Sequence, residues 1–211
     1  MTMRALLIVT ALLLPPRPAT ASAIEPRVSV RADSDSVIAV AILNDVAAAV
    51  GEVASRNGFD QNAPIAGWLE MPYLASASSH PDVEVYFTKQ AAYAADLSAH
   101  MDSIVTAIVQ NRISSEEMRA AFMRGYNRSA DRQRAMVATM GRQARIALTL
   151  HNFLVKIDAH VALNAKGDGL VFDRPKDRRR YDELAVAIDA VNTELAEAVG
   201  PPPQPAAGGA L

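Results

Sequence analysis

Along the chain, apolar positions recur with a helical period in four long stretches, and strand-like alternation is confined to one short segment. From Ser36 onward Val37, Ile38, Val40, Ile42, Leu43, Val46, Val50 and Val53 are interleaved with alanine as far as Asn57-Gly58. The β-branched residues favour a strand. About 20 alanine-rich residues ended by Asn-Gly favour a helix, and the helix prevails. It is expected to be capped near Ser34 and to be the most buried element, because apolar residues surround most of its circumference. Before it, Arg27-Val28-Ser29-Val30-Arg31 alternates polar and apolar and predicts a short extended arm.

A second helix opens at Pro81-Asp82. Val83, Tyr86, Phe87, Gln90, Ala94, Leu97, Met101, Ile104, Val105 and Ile108 follow the i, i+3, i+4 rule until Asn111-Arg112. A very short turn then leads to Ser114-Ser115-Glu116-Glu117, which reads as a capping box with Ser114 as its first member. From there no proline interrupts the chain before Gly167 and Gly169. A continuous helix from Ser114 to Lys166 would span roughly 75 Å at 1.5 Å per residue. A kink is therefore expected, first at Gly125-Tyr126-Asn127-Arg128-Ser129, where glycine, asparagine and serine weaken the helix, and second at Gly141. Met118, Phe122, Tyr126, Ser129, Met136, Met140, Ala147, Leu154 and Val161 trace its apolar stripe, widened by Ile146, Leu150, Phe153 and Ile157.

The last helix is expected from about Asp177 to Val199, with Tyr181, Leu184, Ile188, Val191 and Leu195 facing its core. Between the first and second helices Pro64 and Pro72 break the chain, yet Ile65, Trp68, Leu69, Met71, Tyr73 and Leu74 are apolar. That segment reads as a connection closing one end of the bundle, with an exposed aromatic patch as the sharper alternative. The pattern predicts an all-α fold, an antiparallel bundle of about four principal helices whose third is very long and kinked near Gly125 to Ser129.

The ends of the chain change the picture. Met1 to Ala23 has a positive Arg4, an apolar run from Ala5 to Leu14 and the A-x-A site Ala21-Ser22-Ala23, which together read as a secretory signal peptide. Residues 24–200 are then expected to form one domain, and 201–211, rich in proline, alanine and glycine, a disordered tail. The expected destination is the periplasm or the exterior, with no transmembrane segment in the mature chain. Cysteine is absent, which excludes disulfides, lipoprotein attachment and thiolate chemistry.

Charge is the most informative polar feature. The net formal charge is −2, yet between Arg119 and Arg145 there are seven arginines, no lysine, and Asp131 as the sole acid. Arg124, Arg128 and Arg132 recur at i, i+4, i+8 and share one helix face. With Arg142 and Arg145 they form a candidate anion- or partner-binding face, since arginine suits bidentate contact with carboxylate or phosphate. Arg178-Arg179-Arg180 adds a second cluster at the head of an otherwise acidic last helix. The ordinary reading is a solvated face neutralised by acidic helices. Nucleic acid is disfavoured by export, by the acidic pI near 6.1 and by the lack of exposed aromatics expected in that stretch.

Chemistry is sparse. No H-E-x-x-H, G-x-S-x-G or phosphate-loop motif occurs, and no histidine lies three residues after a glutamate. His100, His151 and Asp158 are interior polar candidates for a cluster, joined by Asn44 and Asp45, that could hold a metal or a titrating histidine. Interhelical hydrogen bonding explains them more simply. Met136 and Met140 are one turn apart, as two Cu(I) thioether ligands would be, but methionine on an apolar stripe is ordinary core filling. Asn164 to Val171 imitates a calcium loop only faintly: Lys166 stands where an oxygen ligand belongs and Pro175 where the bidentate glutamate belongs. No metal site, cofactor or catalytic residue is assigned.

The function these features predict is that of an exported, non-enzymatic helical bundle that binds an acidic protein partner or small anion through its arginine face, with self-association a further option. The alternative is a periplasmic small-molecule or metal sensor built on His100, His151 and Asp158.

Overall fold

The computed structural model describes residues 29–60, 65 and 67–199. The expected signal peptide, the first part of the extended arm and the proline-rich tail lie outside them. The fold is an all-α helical bundle. Four long helices dominate: α1 (Ser29–Arg56), α3 (Pro81–Arg112), α4 (Glu116–Lys156) and α5 (Pro175–Val199), with the single-turn α2 (Met71–Leu74) before α3. A small antiparallel hairpin, β1 (Val161–Leu163) and β2 (Leu170–Phe172), separates α4 from α5.

The chain divides into two compact units. Among the described residues, one comprises 29–60 with 93–135, the other 65 and 67–92 with 136–199. Both α3 and α4 contribute residues to each.

In the first unit, α1 buries Ile42, Val46, Val50 and Val53 at one-turn spacing, while α3 buries Tyr93, Leu97, Met101, Val105 and Val109 every fourth residue. Two bidentate pairs join the helices. Arg112 grips both Asp45 oxygens at 2.6 and 2.9 Å, and Arg56 grips Asp96 at 3.0 Å through each of two nitrogens. Residue 112 meets 45 and residue 56 meets 96, so α1 and α3 run antiparallel. The helix α1 ends in a Schellman motif: Phe59 N–H donates to Ala54 C=O at 2.9 Å and Gly58 N–H to Ser55 C=O at 3.0 Å. Gly58 takes the left-handed φ of 60° that the motif needs. Phe59 folds back into the core and stacks on Tyr93 with ring centroids 5.1 Å apart.

Three expectations for this region need correction. Ser29, Val30 and Arg31 are helical, so the helix starts ahead of Ser34 and takes in the end of the expected arm. Nor is α1 buried all round. Val37 and Val40 are 67% and 55% exposed, and Ala47 and Ala48 are exposed too. Alanine tolerates either environment and gave the helix an apolar character that burial does not follow. The stretch Val37–Arg56 is long and apolar enough to cross a membrane. Its buried stripe, and the ion pairs that Asp45 near its middle and Arg56 at its end make with α3, are those of a helix packed in a bundle. Finally, Ser115 rather than Ser114 caps α4, its Oγ accepting from Met118 N–H at 3.3 Å.

In the second unit, one core cluster gathers Leu74, Ala77, Leu150, Leu154, Ile157, Val161, Leu170 and Leu184. A second gathers Val83, Phe87, Ala144, Ala147, Ile188 and Val191, and Trp68 packs against both. The connection through Trp68, Met71, Tyr73 and Leu74 therefore closes the core, as the first of its two readings expected. Trp68 meets Phe87 edge-on at 4.7 Å and Tyr73 stacks on His80 at 3.7 Å. A relay of amides crosses the unit: Gln90 donates to Gln143 at 3.3 Å and Gln143 to Asn192 at 2.7 Å.

The helix α4 is assigned without interruption from Glu116 to Lys156, through Gly125–Ser129 and Gly141. Ser129 Oγ donates back to Tyr126 C=O at 2.9 Å, which occupies a carbonyl without breaking the helix. The helix stops about a turn and a half beyond Leu150, well short of Lys166. Ile157 leaves helical geometry, Asp158–His160 form a 3-10 turn, and the hairpin follows. Its turn is held by Asn164, whose Oδ1 accepts the backbone N–H of Lys166 and of Asp168, each at 3.1 Å. Gly167 supplies the positive φ of 74°.

Candidate functional site

Each arginine of the candidate face belongs to α4, and the helix determines its direction. Arg124, Arg128, Arg132, Arg142 and Arg145 are all exposed. Their partners differ. Arg142 donates to Glu194 on α5 and to Thr139 Oγ1, so an acidic helix of the same chain neutralises it. Arg134, on the same stretch, donates to Asp102 and Asp131, at 2.8 and 2.7 Å. Arg132 makes an interaction of its own within the chain. Among the described residues Arg124, Arg128 and Arg145 have no carboxylate partner. Of the face expected from sequence, Arg142 is thus neutralised, as is the neighbouring Arg134, while Arg124, Arg128 and Arg145 are open, the first two one turn apart.

The interior polar candidates are not brought together. His100 is exposed in the first unit, its Nδ1 2.9 Å from both the Asp96 backbone oxygen and Asp96 Oδ1. His151 is buried in the second unit, 5% exposed, beside a void of about 10 Å³ lined by Trp68, Tyr73, Leu74, Val83 and other apolar groups. Burial pushes its pKa down, the carboxylates of Glu84 and Asp82 oppose that shift, and His80 adds to it. Asp158 sits exposed on the 3-10 turn after α4 has ended, so the helical spacing that aligned it with His151 does not apply. Asp45 serves Arg112 instead. Among the described residues no group of three or more His, Asp and Glu side chains could hold a metal. Met136 is buried and Met140 half-buried in α4.

The second unit also carries a recess of about 470 Å³. Phe153 and Lys156 from the end of α4, Ile157 and His160 from the 3-10 segment, and Arg174, Lys176, Asp177 and Arg180 from the start of α5 line it. Four formal cations face one carboxylate in a chain whose net charge is negative. Asp177 is buried and accepts from Arg174 Nε at 2.6 Å, while Arg180 donates to Glu183 at 2.9 Å. His160 Nδ1 lies 3.3 Å from Asp173. Arg178-Arg179-Arg180 had been visible as a cluster, but the hairpin that returns the chain to Lys156 and His160 was not, and without it these cations are scattered along 25 residues of sequence from 156 to 180.

Comparison with protein-family models, curated proteins and solved structures finds no match for this chain.

Proposed function

We propose that the chain is an exported, non-enzymatic bundle that acts by binding an acidic protein partner through the ridge on α4 at Arg124 and Arg128. The observation that carries this reading is their state: two exposed guanidinium groups one turn apart, with no carboxylate partner among the described residues. The nearby Arg134 and Arg142 are each neutralised by acids. Arginine pairs with carboxylates through two parallel N–H bonds, and a ridge of such forks fits an acidic segment laid along the helix. Export rests on the signal-like sequence from Met1 to Ala23.

The test is binding of the full chain to a glutamate-rich peptide at physiological salt, followed by fluorescence anisotropy. Arg124→Glu with Arg128→Glu should weaken it at least about tenfold, the direction expected when attraction becomes repulsion, while the helical circular dichroism is kept. Unchanged affinity, or equal binding of heparin and peptide by the unaltered chain, would overturn the reading. N-terminal sequencing of the exported protein should begin near Ile24.

A further inference from the structure

We propose that the recess between the end of α4 and the start of α5 binds a phosphate-bearing small ligand, with the phosphate among Lys156, Arg174 and Lys176 and an apolar portion on Phe153 and Ile157. The cavity, about 470 Å³, has the size of a small-molecule site, and its walls combine an apolar floor with convergent polar groups. Its cations come from two helices and the turn between them, so the fold gathers charge that a single helix face would spread.

The side chains are prepared for different roles. Arg174 is anchored through Nε by Asp177, itself a buried carboxylate. A guanidinium carries five N–H donors, so this contact orients the fork and leaves its terminal amines to a ligand. Lys156 and Lys176 have no carboxylate partner among the described residues and supply point charges. Arg180 contributes a donor beyond the one given to Glu183. The start of α5 adds the positive end of its helix field. One carboxylate ligand is satisfied by one arginine fork. An excess of cations, two of them lysines, matches a phosphate dianion with three terminal oxygens better.

The ridge at Arg124 and Arg128 is composed of other residues, so this inference stands apart from the partner-binding reading. The experiment is titration calorimetry of the full chain with hexyl phosphate, inorganic phosphate and hexanoate, with sedimentation on vesicles of phosphatidylcholine alone or with phosphatidic acid. Hexyl phosphate should bind at least about tenfold more tightly than hexanoate, and Lys156→Gln with Lys176→Gln should lower its affinity at least about tenfold with circular dichroism unchanged. Arg124→Glu with Arg128→Glu should leave it unaltered. Added capture by phosphatidic acid vesicles would identify a lipid headgroup as the source; binding of hexyl phosphate without vesicle capture would identify a soluble phosphate ester, and both support the site. No binding of hexyl phosphate, equal binding of hexanoate, or unchanged affinity in the double lysine variant would overturn it. If the double variant loses its helical signal, Lys176→Gln alone, exposed in the first turn of α5, decides by the same measure.

Discussion

Tyr126 Oη donates to Asp102 Oδ1 at 2.8 Å, and Arg134 donates to the other oxygen of the same carboxylate at 2.8 Å. One aspartate of α3 thus receives two donors from α4, eight residues apart, and pins the two helices side by side. The two hydrogen bonds, Tyr126 first, lower the Asp102 pKa, and burial together with that contact raises the pKa of Tyr126. Tyr126→Phe removes one donor while keeping the ring. The expected cost is about 1 kcal/mol, the net worth of one hydrogen bond at a partly exposed carboxylate. Urea unfolding measures it; no loss would mean that water replaces the phenol fully.

Gly58 closes α1 in a conformation that only glycine adopts readily, with φ at 60°. Gly58→Ala should destabilise by about 1 kcal/mol, and Gly58→Asn by less, because asparagine tolerates the left-handed region. Phe59→Ala should cost more, about 3 kcal/mol, since Phe59 is buried and stacks on Tyr93. Thermal and urea unfolding of the three variants should rank Asn, Ala at 58, then Ala at 59; a different order would remove the motif from its assigned role.

This helix end was legible in the sequence because Asn57-Gly58 is a local signal, as was the start at Pro81. Helix content and the stripes of α3 and α5 followed from period alone: Val83, Phe87, Leu97, Met101, Leu184, Ile188, Val191 and Leu195 are all buried. What period cannot supply is the end of α4. Ile157 and Val161 continue the helical spacing of Leu150 and Leu154, and both are buried, so a helix and a turn leading to a strand predict the same apolar positions. The hairpin that follows depends on pairing Val161 with Phe172, eleven residues away. Missing it placed Asp158 on a helix beside His151 and hid the basic recess. The arginine face was visible as a face, but not its partners, because Asp102 and Glu194 reach it from other helices.

Acid should loosen the first unit through three aspartates. Hydrogen bonds and charge from Arg112 hold Asp45 below the ordinary 3.8. Asn57 and then Arg56 do the same for Asp96, and Tyr126 and then Arg134 for Asp102. A carboxylate with a depressed folded pKa contributes stability that is complete above its unfolded value and is lost as pH falls through the folded one. Stability attributable to these groups should therefore be level above about pH 5 and decline below about pH 4. Asp45→Asn with Asp96→Asn should lower stability at neutral pH and flatten that acid decline. Urea midpoints across the range check it, and an equally steep decline in the variant would assign the acid loss elsewhere.

His151 should act in a separate window with the opposite protonation chemistry. Burial depresses its pKa below the ordinary 6.5, so the folded state prefers the neutral ring and the unfolded state takes up the proton first. Stability from keeping it neutral is complete above 6.5 and is lost as pH falls below that value towards the folded pKa. One such group changes stability by at most about 1.4 kcal/mol per pH unit. His151→Leu removes the titration and keeps an apolar side chain against Leu150, Leu154 and Trp68. The variant should lose the pH dependence of its urea midpoint between about pH 7 and pH 5, while the aspartate-dependent decline at lower pH remains. A slope unchanged by this substitution would show that other groups titrate in that range.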